Sequence, residues 1–296
     1  MTTTPTASRV MSAEEREQFD RDGFVIIRDA LTPREVAYYA AALDRVHAEH
    51  EALGKLAQDG SLHRLSAVAS CPELASLVDH PQTFPYVWGT LGWNVHIYHS
   101  HLDVHPPIRE PKPYRFEWHQ DGGRQNREIE TDPRARMSVK LAFWLSDISQ
   151  PGRGNFKVIR GSHLANRIEG PPRRDIEWPD PEGAFEVCAN PGDAVFFDRR
   201  IWHTRSNNYS ELTRKVAFFG YTYRWVVTRD ETVAPDVAAT LGPVQKQLLN
   251  VLDDGRVHDP IEGGDHAWGH FNDEVPLYRD LKERGLLDST IPALIP

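Results

Sequence analysis

Between residues 94 and 226 the chain is a succession of short runs of apolar and β-branched residues, separated by turn-forming residues. Many short strands at this spacing are typical of an all-β double-sheet barrel, and we therefore predict a jelly roll. The predicted strands are Val95–Val104, Tyr114–His119, Met137–Leu145, Phe156–Ile159, Ala184–Cys188, Ala194–Phe197 and Lys215–Tyr223.

Helices are predicted on both sides of this region. Two capping boxes, Ser12 to Glu15 and Thr32 to Glu35, each open a helix, and the second has Pro at its first position. The other predicted elements are a strand at Phe24–Ile27 and helical stretches at Cys71–Asp79, Pro81–Leu91 and Val244–Leu252. We predict a disordered tail (1–11) and one domain (12–296), divided into a helical part (12–93), the jelly-roll core (94–226) and a second helical part (232–296). A loop at Asn166–Asp180, rich in Arg, Pro and acidic residues, is expected to act as a lid.

Charge and hydropathy exclude several classes of partner. The net charge of −9, from 34 basic and 43 acidic residues, argues against binding to nucleic acid or to an acidic membrane. No apolar run approaches the roughly 18–20 residues that span a bilayer. The cysteines, Cys71 and Cys188, match no metal-ligand spacing and are expected to be free thiols. We expect a cytoplasmic protein acting on a small molecule, and the sequence predicts no oligomeric state.

Two separate motifs could supply metal ligands. His119 and Asp121 form a His-x-Asp pair at the end of a predicted strand, where residues two apart point to the same face. Taken alone, the pair is more often a surface polar pair. His203 follows the strand Ala194–Phe197, and a histidine there is more often structural than ligating.

Together these residues make a two-histidine, one-carboxylate set, which is typical of non-haem iron(II) oxygenases because it leaves coordination positions open. The same set could hold zinc in a hydrolase, and a non-catalytic jelly-roll binding protein is a further alternative. Arg214 favours iron, because its guanidinium can hold the distal carboxylate of 2-oxoglutarate.

From Gly23 to Tyr223 the chain resembles the phytanoyl-CoA dioxygenase family of Fe(II)/2-oxoglutarate-dependent oxygenases. The matching pieces, in order, are Asp22-Gly23-Phe24-Val25-Ile26, His105-Pro106-Pro107, Trp118-His119-Gln120-Asp121-Gly122, Asn155, Gly161-Ser162-His163, Gly192-Asp193, His203, Asn208 and Arg214. The resemblance implies a cupin-like double-stranded β-helix with flanking helices. It also implies that His119, Asp121 and His203 bind iron and that Arg214 holds the C5 carboxylate of 2-oxoglutarate, with O₂ as the second co-substrate.

The chain departs from the family pattern at three positions. His105 stands where the family often has Lys, Arg205 where it often has Ser, and Arg160 where it usually has Pro. These departures concern the finer co-substrate contacts, and they are compatible with a substrate that lacks an acyl-CoA group.

The resemblance and the residues lead to a functional hypothesis. We expect a dioxygenase that hydroxylates, or otherwise oxidises, an unactivated C–H bond of a natural-product or modified amino-acid intermediate, producing succinate and CO₂. Related halogenases have a small residue where this chain has Asp121, so a carboxylate there favours hydroxylation. His101 is a candidate contact to 2-oxoglutarate. Candidate substrate contacts are Gln120, Arg124 and Trp144.

Overall fold

A computed structural model describes residues 10–109, 118–123, 125–168, 180–251 and 275–287. The helices are α1 (Ala13–Asp22), α2 (Pro33–Ala52), α3 (Ala67–Ser70), α4 (Phe84–Leu91), α5 (Gln125–Glu128), α6 (Pro235–Thr240), α7 (Pro243–Leu248) and α8 (Pro276–Glu283), with 3-10 helices at Pro72–Leu77 and Ser162–Leu164. The strands are β1 (Phe24–Ile27), β2 (Leu62–Leu65), β3 (Val95–His105), β4 (Ser138–Trp144), β5 (Phe156–Ile159), β6 (Ala184–Val187), β7 (Ala194–Asp198), β8 (His203–Arg205) and β9 (Arg214–Tyr223).

The strands form two antiparallel sheets. The larger sheet has six strands in the order β1-β7-β4-β9-β3-β2, and the smaller has three in the order β6-β5-β8. Side chains on alternate residues of β4 and β9 divide between two hydrophobic clusters, as the period of two in a strand requires. Ala142, Trp144 and Phe218 belong to the cluster between the sheets, whereas Phe143 and Phe219 belong to the cluster beneath the helices. The central strands of the larger sheet are thus buried on both faces.

The predicted starts of α1 and α2 are confirmed. The side chains of Ser12 and Thr32 each accept a hydrogen bond from the backbone three residues later, and Glu15 and Glu35 complete the two capping boxes. The stretch predicted as helical at Cys71–Asp79 contains the shorter 3-10 helix. α7 ends at Leu248 instead of Leu252 because Asn250 adopts a left-handed φ of 56°.

Two strands were not predicted. β2 carries His63 and Arg64 at its centre, and β8 is the polar tripeptide His-Thr-Arg, so neither has an apolar run.

Most of the predicted strand Tyr114–His119 and of the predicted lid Asn166–Asp180 lies outside the described residues. Within the part of the chain that the structure describes, no helix is both long and apolar enough to cross a membrane.

Candidate metal centre

The backbones of His119 and His203 lie side by side at the edge of the smaller sheet. The N–H of His119 donates to the carbonyl of His203 at 3.0 Å, and the N–H of His203 donates to the carbonyl of His119 at 2.9 Å. This isolated bridge extends the sheet beyond β8. It brings the His-x-Asp pair beside a histidine that is distant in sequence.

The side chains of His119, Asp121 and His203 converge on one point. Each offers a potential ligand atom, and the three atoms lie within 4.8 Å of one another. The Nε2 atom of His203 is 3.7 Å from Oδ2 of Asp121, and Nε2 of His119 is 4.0 Å from Oδ1. The Nδ1 atom of His203 lies 2.9 Å from the carbonyl oxygen of Ile201. Because that oxygen can only accept, Nδ1 is the protonated nitrogen and Nε2 keeps a lone pair for a metal.

The backbone of Asp121 is held by a buried arginine. The N–H of Asp121 donates to the carbonyl of Arg199 at 3.0 Å, and the Nη1 atom of Arg199 donates back to the carbonyl of Asp121 at 3.0 Å. The next residue is Gly122, with a φ of 110°, where an added Cβ would stand 1.6 Å from Nη1 of Arg199. Glycine is therefore required after Asp121 both for its backbone angle and for space.

A buried lysine neutralises Asp121. Lys140, on β4, is 4% exposed, and its Nζ atom lies 2.7 Å from Oδ2 of Asp121. Burial alone would raise the pKa of Asp121, but the positive charge of Lys140 outweighs it and holds that pKa well below its usual range. Lys140 was not predicted as a site residue, and its signal in the sequence is a lysine within the largely apolar predicted strand Met137–Leu145. The structure shows that all seven residues of β4 are buried, and a buried charge requires a partner.

His203 and His99 are neutral at pH 7. Burial lowers the pKa of His203 to about 3 and that of His99 to about 4. In the unfolded chain both titrate near pH 6.5. Below that pH the unfolded chain binds more protons than the folded protein does, so folding stability is fully present above about pH 6.5 and falls as the pH decreases.

We therefore expect the metal-free protein to lose about 1.4 kcal/mol of unfolding free energy per pH unit for each of these histidines between pH 6 and 5. Denaturant unfolding of chelator-treated protein at pH 7.5, 6 and 5 measures this loss. The pKa of Asp121 is lowered, and so is that of Asp103, a buried carboxylate on β3, so these two groups contribute a loss only below about pH 4. A stability that is constant from pH 7.5 to 5 would contradict the assignment of these histidines as neutral.

Arg214 is the first residue of β9. Its side chain lies in the space between the sheets, and the residue is only 3% exposed to solvent. Its Nη1 atom donates to Oδ2 of Asp103 at 3.1 Å, and its guanidinium lies over the ring of Trp144, 5.2 Å from the centroid. Gly154 makes room for it, because an added Cβ there would be 2.5 Å from Cδ of Arg214. Asp103 was not predicted as a site residue.

A second group of potential ligands lies beside Arg214. His63, His101 and Asp103 also bring ligand atoms within 4.8 Å of one another. The carboxylate of Asp103 is already engaged by Arg214 and by Nδ1 of His63, at 2.7 Å. A divalent cation there would have to displace the guanidinium and tolerate its charge nearby, so we assign this group to holding Arg214 in place.

The remaining predicted site residues have varied surroundings. His101 faces the space between the sheets and stacks on Phe218, with ring centroids 4.5 Å apart. The Gln120 side chain donates to the carbonyls of Ala165 and Arg200 and accepts from Arg134. Trp144 is fully buried under Arg214. Contacts of His101 with co-substrate and of Gln120 and Trp144 with substrate stay predictions, and Arg124 lies outside the described residues.

Known proteins similar to this chain include ectoine dioxygenases. That of Nocardia farcinica (strain IFM 10152) is 25% identical over 240 residues, covering 72% of this chain and 78% of the relative. That of Stutzerimonas stutzeri (strain A1501) is 25% identical over 239 residues, covering 72% and 77%.

Solved structures with the same fold include SnoK and HygX. SnoK, a non-heme alpha ketoglutarate dependent carbocyclase from nogalamycin biosynthesis, superposes with a TM-score of 0.55 at 24% identity, covering 75% of this chain and 87% of SnoK. HygX from Streptomyces hygroscopicus, with nickel and 2-oxoglutarate bound, superposes with a TM-score of 0.58 at 18% identity, covering 77% and 94%. The predicted double-stranded β-helix with flanking helices is confirmed.

A family model described as phytanoyl-CoA dioxygenase (PhyH) matches residues 19–216, about two thirds of the chain. The matched range contains strands β1 to β8, the His-x-Asp pair, His203 and Arg214. The chain therefore belongs to the phytanoyl-CoA dioxygenase family of Fe(II)- and 2-oxoglutarate-dependent oxygenases.

Proposed function

We propose that His119, Asp121 and His203 bind one ferrous ion, that Arg214 binds the C5 carboxylate of 2-oxoglutarate, and that the protein hydroxylates a C–H bond of a small molecule. The observation that carries this proposal is the convergence of the three ligand atoms within 4.8 Å, on side chains from two distant parts of the chain. Two imidazoles and one carboxylate suit ferrous iron and leave positions open for co-substrate and O₂.

Bound together, iron, 2-oxoglutarate and O₂ supply an oxidant strong enough for an unactivated C–H bond, with succinate and CO₂ as the other products. The chain's own residues orient these groups. The carbonyl of Ile201 fixes the tautomer of His203, and Arg199 and Lys140 fix the backbone and carboxylate of Asp121. Trp144 and Phe218 supply apolar walls between the sheets, which reduce access of water to the co-substrate.

Asp121 bears on the kind of oxidation. With iron bound, the carboxylate of Asp121 would stand where related halogenases leave room for a halide, so this chain is suited to hydroxylation. The same oxidant also serves desaturation, epoxidation and ring formation, and the choice among these depends on how the substrate is held.

For the substrate we propose a compact polar metabolite, such as a natural-product or modified amino-acid intermediate. Curated relatives are named for ectoine, and solved structures of the same fold contain 5-hydroxyectoine or hygromycin B. A reducing compartment such as the cytoplasm would suit ferrous iron and the free thiols of Cys71 and Cys188.

Metal removal and replacement test the proposed activity. We expect protein purified without air to form succinate from 2-oxoglutarate and O₂ after Fe(II) is added. Succinate formation should cease with a chelator and return with Fe(II) but not with Zn(II). A screen for small molecules that accelerate this turnover then identifies the substrate. Protein that binds Zn(II) but neither Fe(II) nor 2-oxoglutarate would instead favour the zinc hydrolase that shares the same three ligands.

A further inference from the structure

We propose that Arg199 binds a carboxylate group of the substrate, through the edge of its guanidinium that carries Nε and Nη2. This role rests on the proposed function and deepens it, because it names a chemical group that the oxidised small molecule carries. The co-substrate is a separate ligand, whose distal carboxylate is assigned to Arg214.

One part of the Arg199 guanidinium is occupied and the rest is not. Its Nη1 atom donates to the carbonyl of Asp121 at 3.0 Å. Its Nε and Nη2 atoms are both buried, and neither has a hydrogen-bond partner among the described residues. The residue is 0% exposed, and this burial lowers its pKa. A buried cation with unsatisfied donors is costly to the fold, and a bound anion would offset that cost.

The unpaired atoms of Arg199 form the edge with which an arginine holds a carboxylate by two parallel hydrogen bonds. The next residue, Arg200, shows this arrangement. Its Nε and Nη2 atoms donate to Oδ1 and Oδ2 of Asp198 at 2.9 and 2.6 Å. Asp198 also accepts from Arg136, so its oxygens are already engaged. The free edge of Arg199 therefore matches a ligand carboxylate in both shape and charge.

Arg199 and Arg214 lie towards opposite ends of β4. The N–H of Arg199 donates to the carbonyl of Ser138 at the start of the strand, whereas the guanidinium of Arg214 lies over Trp144 at its end. Six residues separate these ends, which is about 20 Å along a strand. Lys140, the partner of the carboxylate ligand, is on the strand between them. A carboxylate held by Arg199 therefore belongs to a ligand other than the distal end of the co-substrate.

Two hydroxyl groups near Arg199 have no hydrogen-bond partner among the described residues. One is the buried Oγ of Ser138, whose carbonyl accepts from Arg199. The other belongs to Tyr98, which interacts electrostatically with Arg199. A bulge between Ile97 and His99 turns Tyr98 over Gly220, where an added Cβ would be 2.9 Å from its Cε1. Both hydroxyls are donors that suit a ligand rich in acceptors.

The charges around Arg199 favour an anion. Arg199 and Lys140 both interact with a single carboxylate, that of Asp121. A divalent metal adds two positive charges there, and the 2-oxo acid end of the co-substrate adds one negative charge. A further carboxylate brings the centre closer to neutrality, and a cationic substrate is disfavoured. Solvent reaches the centre beside His119, whose side chain is 44% exposed, so a substrate enters there and displaces a side chain that covers the Arg199 edge.

Proton relaxation of small probes beside Mn(II) tests this role, because a paramagnetic ion reports ligands bound near it, including weak ones. The full chain is loaded with Mn(II) and saturated with 2-oxoglutarate. The probes are two pairs of an acid and its uncharged amide: benzoate with benzamide, and propionate with propionamide. In at least one pair we expect the wild type to bind the acid at least roughly 10-fold more tightly, and Arg199→Met to reduce this preference to within about twofold.

Two further variants sharpen the comparison. Arg199→Lys keeps a positive charge and a donor for the carbonyl of Asp121 but lacks the two-donor edge. It should also lose most of the preference for the acid, and it serves if Arg199→Met does not fold. The matched control is Arg200→Lys, which changes the adjacent buried arginine, whose edge is already taken by Asp198, and should keep the wild-type preference.

Equal binding of acid and amide by the wild type, including no binding of either, would overturn the proposal. A preference that persists in both Arg199 variants would also overturn it, since the acid would then bind the metal itself. Weaker 2-oxoglutarate binding by Arg199→Lys, with unchanged affinity for Mn(II), would assign Arg199 to the co-substrate instead. If the wild type with Mn(II) does not bind 2-oxoglutarate, the proposed function itself fails.

Discussion

Replacing His203 by Ala is expected to lower the affinity for ferrous iron by two orders of magnitude or more and to abolish succinate formation. Loss of a residue that merely supports a ligand costs about 10- to 100-fold in metal affinity, so loss of a ligand should cost more. His203 is 8% exposed, with its tautomer fixed by Ile201, so it contributes an oriented lone pair that a water molecule in the resulting cavity would not replace equally.

Metal content after dialysis and titration with Mn(II) measure this loss directly, independently of turnover. The matched control is His163→Ala. It removes another buried histidine, one whose Nε2 atom contacts the carbonyl of Asp20 and which is not among the three converging ligands. Both variants leave a cavity where an imidazole was. Comparing their melting temperatures therefore separates destabilisation by the cavity, which both share, from loss of metal, which only His203→Ala should show. Metal retention by His203→Ala at the wild-type level would remove this histidine from the ligand set.

Replacing Lys140 by Met is expected to destabilise the metal-free protein strongly and the metal-loaded protein much less. Without metal, the variant leaves the carboxylate of Asp121 buried without its partner at 2.7 Å. Breaking a buried ion pair in this way costs about 3–5 kcal/mol. For a chain of this size that corresponds to a decrease in melting temperature on the order of 10 °C. A bound divalent ion supplies the missing positive charge, so metal should raise the melting temperature of Lys140→Met by more than that of the wild type.

Thermal melts with and without Mn(II) measure both quantities. Lys215→Met is the matched control, because the ion pair of Lys215 with Asp44 is exposed on one side and should contribute at most about 1 kcal/mol. Equal metal-induced shifts in Lys140→Met and the wild type would show that Lys140 does not act as the counter-charge of Asp121.

The elements that sequence reasoning found are those with a strong local signal. Capping boxes located the starts of α1 and α2, and alternating or continuous apolar runs located β3, β4, β7 and β9. β2 and β8 carry polar residues, and their strand conformation depends on pairing with β3 and β5, which are distant in sequence. Tertiary pairing of this kind outweighs local propensity.

The residues of the candidate site also divide into those with a local sequence signal and those whose role depends on distant parts of the chain. His119, Asp121, His203 and Arg214 could be picked out because their types and spacing form a motif. From the sequence, Lys140 could be placed only on one face of a predicted strand, because its partner Asp121 lies in another segment. The role of Asp103 depends on the register of β3 against β9, which brings its carboxylate to Arg214 and cannot be read from the linear chain.

The bridge between His119 and His203 has a consequence for how fast metal exchanges. Two backbone hydrogen bonds at the edge of a three-stranded sheet hold these ligands together. Edge segments open locally at a lower free energy than central strands do. Opening of this edge would separate the two imidazoles, so release of the ion and exchange of the amide protons of His119 and His203 should share one kinetic step. Bound metal would then slow hydrogen exchange at these two amides more than at the amides of β4 or β9.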